Sequence, residues 1–288
     1  MTGGLLEQGL TRSTTAGQAP PRGPSRRRSR RVLGVLAPLA LLGLWALVSA
    51  RGIVSTRLLP SPLTVADAAR DFFFGTSTVT LAGVVPFAGA GFDHLSASLG
   101  RCAVSWALAV VVGTAVGLLL GVSAWARDLL DPVLNALRAV PLFAWLPLVL
   151  IWFGIGESSA RALIFLGALW PVLVAVGDST ARVPRAYVET ARMLGTPRRD
   201  LWRRVHLPSA LPEVVTGLRL SLTLAWTCVI VGELSGVSTG VGAMMNAARE
   251  SGRTEQVLVG ILVFATVGLL ADLLLRALTA RWVRWATA

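Results

Sequence analysis

Six stretches of this chain stay apolar for close to the thickness of a bilayer: roughly residues 32–50, 102–122, 137–153, 162–177, 214–234 and 256–275. A helix rises about 1.5 Å per residue, so about 20 apolar residues cross the hydrocarbon. Lipid offers no partner to a bare N–H or C=O, which leaves the helix as the spanning form for segments of this length. The third and fourth stretches are a little short and contain Pro141, Pro147 and Pro171. Proline is tolerated in a membrane when neighbouring helices satisfy the carbonyls it frees, so these two are expected inside a bundle. Composition agrees: 54% of residues are hydrophobic and 15% charged, against about 25% charged in a soluble domain. The expected fold class is all-α integral membrane, with six transmembrane helices.

All 27 basic residues are Arg, against 15 acidic ones, for a net charge of +12. Without Lys the chain can hold neither a P-loop, whose Lys grips the phosphates, nor a pyridoxal Schiff base. Cys102, Cys228, His94 and His206 are too scattered for a zinc or disulfide framework. A membrane enzyme would need His, Asp or Glu gathered on neighbouring helix ends, which two distant histidines do not supply. No internal repeat of the secondary-transporter kind is visible. A transport or scaffold role is left.

The arginines also set the orientation. With the N-terminus in the cytoplasm, the inside segments hold nineteen Arg and the outside segments seven, Arg219 lying within the fifth span. Both termini are therefore expected inside. Residues 1–31 read as a disordered basic tail and 32–50 as the first transmembrane helix. Ser29-Arg30-Arg31-Val32-Leu33 resembles a twin-arginine export signal, but the apolar run after it is longer than the about 7–15 residues of a signal core. Residues 51–101 form an extracytoplasmic connector, with a rigid turn at Pro60-Ser61-Pro62, a short helix from Thr64 to Phe74 and a mobile Gly- and Thr-rich loop over 75–92. Ser96, Ser98 and Arg101 are read as part of that solvated connector. Residues 102–280 form the core and 281–288 a short cytoplasmic tail. Ala109, Gly113, Gly117 and Gly121 place a small residue at every fourth position of the second span, which lets two helix backbones approach closely. Packing within the chain is expected there.

The inside loop 178–212 carries its own helix punctuation. Pro184 suits a first helical position, and Tyr187, Val188, Ala191 and Leu194 recur at helical spacing. Gly195 fits the left-handed position just past a helix end. Thr196-Pro197 then opens a second helix, with Leu201, Trp202 and Val205 as an apolar stripe among Arg198, Arg199, Arg203 and Arg204, and Pro208 stops it. A helix-turn-helix for DNA would need a third helix and its own core, and Pro208 and Pro212 lead straight back into the membrane. The expected partner is a protein docked under the bundle.

Glu189-Thr190-Ala191, then Gly195, then Val205-His206-Leu207-Pro208 after nine further residues, resembles the E-A-A, G, I-x-L-P loop of permease subunits of binding-protein-dependent ABC importers. Thr190 stands for the usual second Ala and Val205 for Ile. Leu59-Pro60-Ser61-Pro62, Pro141 to Leu148, Trp152 to Glu157, Gly217-Leu218-Arg219, Trp226 and Gly232-Glu233 are similar to the nitrate/sulfonate/taurine branch. The resemblance covers roughly residues 58–280, and the stretch 75–92 is longer than that branch usually has.

The resemblance implies a type I importer permease with cytoplasmic coupling helices, sited in the cell membrane. Two permease copies, expected as a homodimer, would line the pore above two ATPase subunits, and an extracytoplasmic binding protein would deliver the solute. ATP and Mg would be used by the ATPase, with no cofactor, metal or nucleic acid bound here. Glu189, Thr190, Ala191, Gly195, Arg199, Arg203, Leu207 and Pro208 would couple to the ATPase. The solute would be a small anion of the aliphatic sulfonate, nitrate or taurine class; related permeases of the branch carry other solutes, including thiamine precursors. Polar groups inside a membrane bundle are functional candidates, which singles out Arg219, Ser221, Thr223, Trp226, Thr227 and Glu233 for the pathway. Asp272 and Arg276 read as a structural ion pair, and Glu157 reads equally as a group at the outer mouth or as a solvated loop charge.

Overall fold

A computed structural model describes residues 25–75, 87–183 and 185–283. The expected tail up to residue 24, residues 76–86 of the external loop, Pro184 and residues 284–288 lie outside the described residues. The elements described are all helical: α1 (Ser25–Ala50), α2 (Pro62–Phe74), α3 (Gly91–Val122), α4 (Ala124–Ala139), α5 (Leu146–Phe153), α6 (Glu157–Ala181), α7 (Arg185–Met193), α8 (Arg198–Leu201), α9 (Leu207–Leu234), α10 (Val241–Glu250) and α11 (Thr254–Val283). A 3₁₀ turn (Leu142–Trp145) leads into α5, and a π turn (Trp202–His206) joins α8 to α9.

Four continuous helices are long and apolar enough to cross a membrane: Gly91–Val122, Glu157–Ala181, Arg203–Leu234 and Thr254–Ala280. The expected span 137–153 is instead a broken one, in which α4 and the segment Leu142–Phe153 meet at 94°. Pro141 at the break has no N–H to give. Val140 before it is extended, at φ −72° and ψ 121°, because a proline's ring crowds a helical predecessor. The expected first span falls in α1, which starts at Ser25 rather than at residue 32. The described apolar part of that helix, Leu39–Ala50, is tied to the rest by Trp45 Nε1, which donates to the Pro60 carbonyl at 3.0 Å.

Three boundaries move. α3 begins at Gly91, so Ser96, Ser98 and Arg101 belong to a helix and not to the solvated connector. Pro208 does not stop the second loop helix. It sits in the first turn of α9, where a missing N–H goes unneeded, and the π turn carries the chain into that helix without a gap. An additional helix, α10, fills the segment between the fifth and sixth spans.

The centre of the bundle is α3 against α6 and α6 against α9, and small residues set both contacts. A Cβ on Gly117 would lie 2.8 Å from the Leu173 carbonyl oxygen and 2.8 Å from Val176 Cβ, and one on Gly121 would lie 2.5 Å from Thr180 Cβ. The glycine stripe of α3 is therefore an internal seam, as expected. On the other side, a Cβ on Gly232 would lie 3.0 Å from Ala160, and Cβ atoms on Gly167 and Gly217 would collide with Cys228 and Ala175. Around this centre, Phe72 of α2, Ile164, Val229, Met244, Val259 and Phe264 complete one apolar core. Two caps fix its edges: Ser61 accepts from the Thr64 N–H at 3.2 Å, and Arg127 donates to the Leu120 and Gly121 carbonyls at 3.0 and 2.9 Å, closing the end of α3.

Candidate functional site

The hairpin between α6 and α9 has the geometry its punctuation demands. Gly195 stands at φ 73°. Its N–H donates to the Arg192 carbonyl at 2.9 Å, and that of Thr196 donates to the Ala191 carbonyl at 3.0 Å. Those are the two bonds of a Schellman cap, which requires a left-handed residue there. Among the described residues nothing lies within 4 Å of a Cβ added at Gly195. Past the turn, the Asp200 and Leu201 N–H groups both donate to the Pro197 carbonyl at 3.0 Å, so Pro197 opens α8.

The four apolar residues read as one side of α7 divide. Val188 and Ala191 are half-buried against the bundle, whereas Tyr187 and Leu194 join Met193 in the open. Met193 is 86% exposed, Leu194 80% and Tyr187 60%. Such exposed apolar side chains on one short helix, which also exposes Glu189 and Arg192, mark an interaction surface. Glu189, Thr190, Gly195, Arg203 and Leu207 are exposed on the hairpin, while Ala191 and Pro208 are half-buried; the Arg199 side chain lies outside the described residues. Thr190 Oγ1 donates to the Ala186 carbonyl at 2.8 Å, so its hydroxyl is spent on its own helix.

A cavity of about 820 Å³ lies between the α4–α5 bend, α6 and α9. Pro141, Leu142, Trp145, Trp170, Pro171, Leu220 and Leu224 wall it, with Arg138, Asp178, Arg182 and Glu213 toward the hairpin. On α9 its wall belongs to a longer exposed stripe at helical spacing: Glu213, Thr216, Leu220, Thr223, Leu224 and Thr227. Two of the six residues singled out for a pathway, Thr223 and Thr227, lie on that stripe; their hydroxyls donate to the Arg219 and Thr223 carbonyls. The other four are engaged elsewhere. Ser221 Oγ donates to the Ala168 carbonyl at 2.7 Å and Trp226 Nε1 to the Phe264 carbonyl at 2.9 Å, tying α9 to α6 and α11. Arg219 faces Asp272 at 3.3 Å, and Asp272 also accepts from Arg276 at 2.7 Å, the expected i,i+4 pair.

Glu233 belongs to a buried charge cluster at the opposite end of the bundle. Arg101, 3% exposed, reaches from α3 between two carboxylates. Its Nη1 donates to Glu233 Oε1 at 2.5 Å, and its Nε donates to Glu157 Oε1 and Oε2 at 2.9 and 2.8 Å. Its Nη2 donates to Glu157 Oε1 and to the Thr239 carbonyl, both at 2.5 Å. Ser98 Oγ donates to Glu233 Oε1 at 2.6 Å and accepts from the Val241 N–H at 3.0 Å. His94 Nδ1 accepts from the Gly240 N–H at 2.9 Å, and Glu233 Oε2 from the Gly242 N–H at 2.7 Å. Residues 94, 98 and 101 share one face of α3, so that face reads the turn between α9 and α10. Sequence reasoning missed this cluster, although an Arg and two Glu bordering apolar spans were its visible signal.

Residues 109–284 match the family model for the binding-protein-dependent transport system inner membrane component. The chain is 35% identical over 271 residues to the putative aliphatic sulfonates transport permease protein SsuC of Bacillus subtilis (strain 168), covering 94% of each chain. It is 37% identical over 265 residues to the taurine transport system permease protein TauC of Escherichia coli (strain K12), covering 92% of each. A chain of the inward-facing MetNI methionine ABC transporter has the same fold, with a TM-score of 0.51 at 21% identity, over 65% of this chain and 94% of that one. The exposed hairpin, the helical bundle behind it and these matches agree: the chain belongs to the inner membrane component family of binding-protein-dependent transport systems, as a permease subunit of an ABC importer.

Proposed function

We propose that this subunit carries an organosulfonate, an alkanesulfonate or taurine, inward across the cell membrane in a complex of two copies with two ATPase subunits. The substrate reading is carried by one observation, the similarity over more than nine-tenths of the chain to two permeases whose names specify sulfonates and taurine. Both termini and the hairpin face the cytoplasm in this reading, supported by nineteen arginines on that side against seven on the other.

The mechanism follows from three surfaces. The apolar patch of Tyr187, Met193 and Leu194, with Gly195 bare beside it, docks in the ATPase, and Glu189 and Arg203 anchor its rim. The ATPase binds and hydrolyses the nucleotide, because a chain without Lys has no P-loop. Closure of the ATPase pair drags the hairpin, which is continuous with α9 and three residues from the end of α6. A docked element can drive a transition only by binding differently in its two states. The stripe of Thr216, Leu220, Thr223, Leu224 and Thr227 and the cavity beside it form half of the pathway, and the second copy supplies the other half. An extracytoplasmic binding protein selects and delivers the solute, so the pathway itself needs no fixed cation.

The test is uptake by proteoliposomes holding this subunit, its ATPase and its binding protein. ATP-dependent accumulation of labelled taurine or an alkanesulfonate, unaffected by excess nitrate, is expected. Accumulation of nitrate instead would overturn the substrate class. Uptake driven by an ion gradient without ATP would overturn the importer mechanism.

A further inference from the structure

The charge cluster around Arg101 lies outside the hairpin, the cavity and the exposed stripe, and nothing in the transport reading uses it. It is also a poor way to gain stability. Withdrawing an Arg and two carboxylates from water costs several kcal/mol per ion, and apolar replacements of similar size are often no less stable. What such a cluster does supply is registry, since each donor has one partner geometry. Here the geometry is extensive. Arg101 alone bonds to Glu157 at the start of α6, to Glu233 at the end of α9 and to the Thr239 carbonyl in the turn before α10. The first three N–H groups of the α10 end, at Gly240, Val241 and Gly242, are taken by His94, Ser98 and Glu233. Gly240 stands at φ 137°, and a Cβ there would collide with the Glu233 carboxylate, so the turn can pack against the cluster only as glycine.

We infer that Arg101 is a positioning residue for transport: it locks the outer ends of α3, α6 and α9 and the α10 turn into one body, so that a displacement of the hairpin at the inner ends of α6 and α9 arrives undiminished at the outer mouth. This rests on the reading of the hairpin as the ATPase contact. The glycine seams hold these helices pairwise along their length, whereas Arg101 bonds to α6, α9 and the α10 turn together. Glu157 is the member that meets water, its side chain being 46% exposed, and Arg161 lies 3.6 Å from its second oxygen.

The experiment uses the complete importer in proteoliposomes. Spin labels at Ser96 on α3 and Ser158 on α6, both exposed, report the separation of two outer ends. In the otherwise wild-type subunit one narrow distance is expected, unchanged between nucleotide-free and ATP-trapped complexes; a distance that changes between those states overturns the inference. Arg101→Lys keeps the buried positive charge, but its single ammonium cannot hold Glu157 bidentately while also reaching Glu233 and Thr239. It is expected to leave abundance and ATP hydrolysis within about twofold of wild type, to broaden the distance, and to reduce uptake by about 5- to 150-fold, the span of ordinary coupling energies. Wild-type uptake by this variant, or uptake lost only in proportion to abundance, overturns the inference. The triple variant Arg101→Met, Glu157→Gln, Glu233→Gln removes every unpaired charge while keeping acceptors for Ser98 and Gly242. It is expected to fold and still to transport poorly, and full uptake by it counts against the positioning role. Failure of the hairpin reading would look different, since Gly195→Asp would then take up solute normally while the Arg101 variants still did not.

Discussion

Replacing Gly195 by Asp separates folding from coupling, because the structure gives each a different size. At φ 73° a residue with a Cβ costs roughly 1–2 kcal/mol, and Asp falls at the low end because its short side chain bonds locally. Among the described residues no atom lies within 4 Å of the added Cβ, so none of them adds a steric penalty to that figure. The Schellman bonds from Gly195 and Thr196 use backbone alone and survive. Gly195→Asp should therefore reach the membrane at near wild-type abundance. Docking is another matter, since the carboxylate enters the surface on which Met193 and Leu194 lie open. A coupling loss of about 1–3 kcal/mol corresponds to uptake reduced about 5- to 150-fold. Uptake and ATP hydrolysis are measured together in proteoliposomes, with subunit abundance read by immunoblot. Normal uptake at normal abundance would refute the coupling reasoning, and disappearance of the subunit would refute the folding half.

Three further outcomes follow. Gly117→Val forces side-chain atoms onto the Leu173 carbonyl and Val176, contacts already at 2.8 Å for a Cβ; overpacking of about 1–3 kcal/mol should lower the thermal midpoint of the detergent-purified subunit, and an unchanged midpoint would place the seam elsewhere. Trp226→Phe loses the bond to the Phe264 carbonyl, a cost of about 1 kcal/mol visible as a lower midpoint with uptake retained; lost uptake at full stability would instead give Trp226 a pathway role. Asp272→Asn weakens a half-exposed pairing with Arg219 and Arg276, worth about 1 kcal/mol or less, and uptake should stay within twofold.

What could be read without coordinates was local. Gly195 and Pro197 specify their own backbone, and the turn at Gly195 and the start of α8 came out as expected, whereas the four residues read as one side of α7 divide between half-buried and exposed. The glycine stripe was legible because helical periodicity puts it on one face. Proline misled in both directions: Pro141 breaks a span that was read as one helix, because Val140 must extend, while Pro208 opens α9 and ends nothing. The outer cluster was hidden by sequence distance, Arg101 being 56 residues from Glu157 and 132 from Glu233. Arg101 was assigned to a connector because hydropathy begins at Cys102, although the helix around it begins at Gly91. The small polar face of His94, Ser98 and Arg101 gains meaning only when the α9–α10 turn folds against it. α10 was missed for a related reason: Gly236, Gly240 and Gly242 look like a loop, and two of them do take left-handed backbone, but the helix that follows is held by side chains from α3 and α9.

In the proposed mechanism the hairpin is the surface on which a separate ATPase pushes. A photo-crosslinking residue at Met193, the most exposed of the patch at 86%, tests it in intact membranes of cells expressing the whole importer. An adduct with the ATPase subunit, changed in yield when ATP is trapped, is expected. Adducts with lipid or the binding protein alone, or a position 193 thiol labelled only from outside the cell, would contradict it.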